Sequence, residues 1–172
     1  MPIFNYTVPK TSEQQILQIE TPWAVSFQKG RGAPANTTFN VLKSWTENAD
    51  SGIKYFSGTA SYKNTFTIPL TAKAIYEIDL GEVKNLAEVI INGKSQGIVW
   101  KKPFKVKLKH ALKVGENTIE IKVTNLWVNR LIGDQQPDVK TKITYTTMPF
   151  YRADSPLLPA GLMSPVKVML KK

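Results

Sequence analysis

An all-β fold of two packed antiparallel sheets, a sandwich or barrel, is what this 172-residue sequence predicts. Three observations lead there. Apolar and polar residues alternate with period 2 through most of the chain. Gly, Pro and Asn divide the alternating runs into short pieces. No stretch carries the apolar spacing of an amphipathic helix. The length suits one domain, and 42% hydrophobic with 21% charged residues supplies the material for a core.

In chain order, residues 1–19 read as a leader or linker and 20–172 as the β-sandwich domain. "TPWAVSF" puts Trp23, Val25 and Phe27 on one face. "YFSGTASYKNTFTI" does the same for Phe56, Ala60, Tyr62, Phe66 and Ile68, with Gly58 marking a bend or close approach. "AIYEIDL" sets Tyr76, Ile78 and Leu80 against Glu77 and Asp79. "LAEVIINGKSQGIVW" reads as a hairpin closed by Asn92-Gly93. "ENTIEIKVTN" sets Ile119, Ile121 and Val123 against Glu120, Lys122 and Thr124, and "VKTKITYT" and "SPVKVMLKK" read as further strands. The expected interior is Phe56, Tyr62, Phe66, Ile78, Val89, Ile119, Ile121 and Val123. The longest irregular stretches, 28–51, 126–138 and 147–163, are of the kind that carries function or packs on a neighbour.

Composition narrows the function. No apolar run approaches a membrane span of about 18 residues, so no membrane partner is expected. The start has neither the basic nor the long apolar region of a signal peptide. No cysteine is present, which excludes disulfides and thiolate metal sites. The net charge of +10 suggests nucleic acid. Much of the excess, however, lies in "WKKPFKVKLKHALKVG", where Lys105, Lys107 and Lys109 alternate with Phe104, Val106 and Leu108. That is the wet face of a half-buried strand, and no nucleic-acid partner is expected.

Catalytic patterns are sparse. The single His110 cannot build a multi-histidine metal site, and neither a nucleophile elbow nor a phosphate-binding glycine loop occurs. "NTT" at 36–38 matches a glycosylation sequon, a short pattern of little weight. The loop acids Glu47, Asp50, Asp134, Asp138 and Asp154 could form a glycosidase-type pair only if two faced each other. No cofactor is implied. The tryptophans say more. Trp23 is in phase with a core face, while Trp45, Trp100 and Trp127 lie at loop edges, where an indole can stack on a sugar ring or cap the end of the sandwich. Around Trp127, "LWVNRLIGDQQ" gathers Asn129, Arg130 and Asp134, groups able to bond sugar hydroxyls or another domain. Arg130 and Asp134 can instead pair with each other. Leu126 and Val128, or Leu131 and Ile132, are expected to anchor this loop, leaving Trp127, Asn129, Arg130 and Asp134 on one exposed edge.

The stretch containing Gly58, Ala60, Tyr62 and Phe66 resembles the β-sandwich "sugar-binding" domains of large glycoside hydrolases, whose motif runs Gly–x–Ala–x–Tyr–x–x–x–Phe. The later Leu-Gly, Asn-Gly, Pro-Phe and Leu-x-x-Gly-x-Asn series agrees, and "LWVNRLIGDQQ" with "SPLLPAGLMSPVKV" is most similar to the C-terminal domain of multi-domain α-L-rhamnosidases and their family-2-like relatives. The resemblance covers about residues 20–172. It implies a galactose-binding-domain-like jelly roll of two antiparallel sheets and a non-catalytic accessory role beside a separate (β/α)₈ barrel. It also implies a bacterial, periplasmic or secreted parent, with carbohydrate, including rhamnose-containing oligosaccharides, as partner. Two roles follow for the candidate residues Trp45, Trp100, Trp127, Asn129, Arg130 and Asp134: contact with sugar, or contact with the barrel.

Overall fold

The computed structural model describes residues 12–69 and 74–171. Among them the strands are β1 (Glu13–Ile19), β2 (Trp23–Phe27), β3 (Asn36–Phe39), β4 (Thr59–Thr67), β5 (Ile75–Asp79), β6 (Val83–Lys84), β7 (Leu86–Ile91), β8 (Lys94–Val99), β9 (Lys105–Lys107), β10 (Glu116–Thr124), β11 (Gly161–Leu162) and β12 (Val166–Lys171). Two short α-helices, α1 (Ser51–Lys54) and α2 (Val128–Gly133), and a single 3-10 turn, Trp45–Glu47, interrupt them. One sheet runs β1-β12-β5-β9, the other β3-β2-β4-β10-β7-β8, and β11 pairs with β6. Every pairing is antiparallel.

The period-2 pattern explains why these runs pair as they do. Central strand β10 presents Ile119, Ile121 and Val123 inward, and each is at most 1% exposed. Its neighbour β4 places Tyr62 opposite Ile121 and Ala60 opposite Val123, while β7 places Val89 opposite Ile121. A one-residue slip in either pairing would turn this apolar set outward, so burial itself fixes the register. From the other sheet, Ile78, Val166 and Val168 close the same core. All eight residues expected inside are buried. Asn92 and Gly93, at φ 49° and 76°, make the β7–β8 turn with both central residues in the left-handed region, as a type I′ hairpin requires.

Three expectations are corrected. Residues 13–19, expected to be leader, form edge strand β1 along β12. The exposed Glu13-Gln14-Gln15 start hides its alternation. On the outer face of that sheet Glu13 pairs with Lys105 and Lys171, Lys171 also binds Glu77 at 2.8 Å, and Lys105 lies 3.8 Å from Asp79. One lysine of the basic stripe is thus taken up in an ion ladder across four strands, while Lys107 and Lys109 stay exposed. Residues 139–146, expected to be a strand, pair with none. Trp45, expected at a loop edge, is 1% exposed and makes edge-on contacts with Phe27 and Phe56. Its indole N–H donates to the Tyr62 hydroxyl, which gives this buried polar group its partner.

Candidate functional site

Beyond β10 the chain does not become a plain loop. Asn125 closes the strand: its amide oxygen accepts from Gly58 N and its amide nitrogen donates to Phe56 O, both at 2.9 Å. The six-residue helix α2 follows, correcting the expected irregular stretch at 126–138. Its inward residues are Asn129, Arg130, Ile132 and Gly133. Two of these four are polar, so apolar spacing could not announce the helix. Ile132, at 1% exposure, is the apolar anchor. Gly133 is required by packing, because a Cβ there would stand 2.5 Å from Tyr55 Cβ and from Arg130 Nη2.

The polar residues of α2 face the protein instead of one exposed edge. Asn129 exchanges two hydrogen bonds with the Leu158 backbone, at 2.7 and 2.9 Å. Arg130 Nε lies 3.1 Å from Asp134 Oδ1, close enough for ion pairing but not aligned as a hydrogen bond. Asp134 Oδ2 accepts from Ile143 N at 3.1 Å, Thr144 N at 2.7 Å and Thr144 Oγ1 at 2.6 Å. Gln136 donates to Ala153 O at 2.9 Å. Burial alone would raise the Asp134 pKa, but the bonds from Thr144 and Ile143, with the Arg130 charge, outweigh it and hold the carboxyl below its ordinary value. Helix α2 is therefore a peg to which the strandless segment after it is tied near 143, 153 and 158.

Between those ties the segment turns apolar side chains to solvent. Tyr145 is 88% exposed, Met148 79% and Phe150 83%. Trp127, at 44%, remains at the surface, with the Arg31 guanidinium 4.4 Å from its ring centre. Leu126 and Leu158, both exposed, line one small crevice beside α2. Trp100 is exposed just past the end of edge strand β8. So the structure brings Asn129, Arg130 and Asp134 together under the surface, keeps Trp127 at its rim, and leaves Trp45 and Trp100 elsewhere. Sequence reasoning missed Tyr145, Met148 and Phe150. The available signal was three large apolar residues in six positions without sustained alternation.

A rhamnosidase from Novosphingobium sp. PP1Y superposes on 96% of this chain with a TM-score of 0.91 and 42% sequence identity. A provisionally assigned beta-glucuronidase of Formosa agariphila is 38% identical over 188 aligned positions, or 94% of this chain. This chain is a relative of one domain-sized part of large glycoside hydrolases. It spans 16% of the length of each of these two proteins. A beta-D-glucuronidase from Dictyoglomus thermophilum shares the fold, with a TM-score of 0.63 at 18% identity over 97% of this chain and 29% of that one. No family model matches the chain. The resemblance read from Gly58, Ala60, Tyr62 and Phe66 therefore holds, as does the all-β sandwich it implied.

Proposed function

We propose that this chain is a non-catalytic accessory domain of a glycoside hydrolase, and that it docks on another domain of its parent through the segment tied to α2. Carbohydrate enters as the substrate of that parent, rhamnose-containing glycans being the class the rhamnosidase relative suggests. The observation that carries the docking is the display of Tyr145, Met148 and Phe150 on a segment held in place near 143, 153 and 158. Large apolar side chains held exposed within six positions of a tied segment favour a protein contact. Trp127, just before α2, is also exposed. Arg31 covers one side of its ring, and Asn129 and Asp134 are committed to the backbone, so two of the polar partners expected for a sugar stacked there are already used.

The test is association in trans. Wild-type chain mixed with the separately produced remainder of its parent should co-elute with it in gel filtration. The double variant Met148→Asp, Phe150→Asp should elute alone while melting at the wild-type temperature, since neither side chain is buried in the domain. A wild-type chain that fails to associate, or a variant that associates equally well, would contradict the docking.

A further inference from the structure

We propose that a second surface, the cleft between α1 and the segment following α2, binds an uncharged sugar unit through the guanidinium of Arg130. The cleft has a volume of about 570 Å³, within the usual range for small-molecule sites. Asp50, Tyr55, Arg130, Gln136, Asp138 and Lys140 line it. The Arg130 side chain is only 6% exposed. Its Nε faces Asp134, and neither Nη group has a hydrogen-bond acceptor among the described residues. With the rest of the side chain buried, the Nη groups turn their N–H donors to the cleft, where a ligand can take the place of the water that otherwise satisfies them. The space around it is kept by bare backbone. A Cβ at Gly32 would stand 3.1 Å from Nη1, and one at Gly133 2.5 Å from Nη2.

The lining also decides the class of ligand. Arg130 is already charge-balanced by Asp134 at 3.1 Å. Asp50 and Asp138 stand at the cleft beside Lys54 and Lys140. An anion would meet two carboxylates and little uncompensated positive charge. A hydroxyl both donates and accepts, so a polyhydroxylated ring finds donors on Arg130 and acceptors on Asp138 and the Gln136 amide oxygen, the Gln136 amide nitrogen and Asp50 Oδ1 being bonded within the protein, with the Tyr55 ring as an apolar wall. The choice of a sugar over another polyol rests on the accessory-domain reading; the free fork and the cleft do not.

The experiment is a ¹⁵N NMR titration of the whole chain with L-rhamnose, D-galactose and D-glucuronate. The expected result is saturating shifts at the amides of Gly32, Gly52 and Thr141 with a neutral sugar, at a Kd of roughly 1–10 mM. Arg130→Lys keeps a charge for Asp134 but loses the fork, and should weaken binding about tenfold. Asp138 is exposed, so Asp138→Ala should fold normally and weaken binding several-fold, which keeps the test open should the arginine variant not fold. Three results would overturn the proposal: no shifts by roughly 50 mM, well above that Kd; shifts confined to the surroundings of Trp127 or Trp100; or tighter binding of glucuronate than of either neutral sugar. Unchanged affinity in Asp138→Ala would overturn it too. Association with the parent and sugar binding are read separately, so loss of either identifies which proposal fails.

Discussion

Asp134→Ala should destabilise the protein by about 3–5 kcal/mol, the cost of leaving a buried ion without its partner. Both members of the pair are buried, at 6% and 1% side-chain exposure. The loss would also free the Ile143 and Thr144 amides. The damage should be local as well as global, with proteolysis appearing first in 139–152, where the tie is lost. Adding Arg130→Met to Asp134→Ala should recover part of the stability, because no unpaired charge is then buried. Denaturant melts of the three proteins check this, and a single variant within 1 kcal/mol of wild type would contradict it. The same carboxylate gives an acid dependence. Its pKa in the fold lies below the ordinary aspartate value of 3.8, so its contribution is complete above that value and is lost as pH falls through the lower, folded one. Melts below pH 4 should show this loss in wild type and not in Asp134→Ala.

Ile121→Ala should cost about 2–5 kcal/mol. Ile121 is fully buried at the middle of β10, opposite both Tyr62 and Val89, so neighbours on two strands would have to move to fill the space. A loss well under 1 kcal/mol would mean that the inward face of β10 is wrongly placed.

The core was legible because β4, β7 and β10, the strands at the centre of the larger sheet, each bury mainly one face. Where Tyr62, Ile121 and Val123 point in and their chain neighbours point toward solvent, period 2 appears directly in the sequence. The less legible elements share a different physics. Strand β1 is an edge whose first three residues are exposed, so half its alternation is missing. Residues 139–146 alternate well enough to read as a strand, but two of their backbone amides go to the Asp134 carboxylate and none to a neighbouring strand. Helix α2 turns Asn129 and Arg130 inward beside Ile132 and Gly133, so half of its buried stripe is polar. Trp45 owes its burial to distant partners: its backbone N–H bonds Ala160 O at 2.9 Å and its indole bonds Tyr62. For the candidate site, the Arg130–Asp134 pair was visible as an i, i+4 spacing of opposite charges. The segment it steadies was not, because its order comes from side-chain clamps rather than a ladder, and clamps leave no period.

The central claim is that this domain supports hydrolysis without performing it. The direct measurement is the release of nitrophenol from aryl glycosides, α-L-rhamnosides included, by the purified chain alone and by the chain recombined with the rest of its parent. The account predicts no turnover by the chain alone. For the recombined protein it predicts activity that withstands heating better with the wild-type chain than with the Met148→Asp, Phe150→Asp variant. Turnover by the chain alone, lost when the exposed acids Glu47 or Asp138 are changed to their amides, would contradict it.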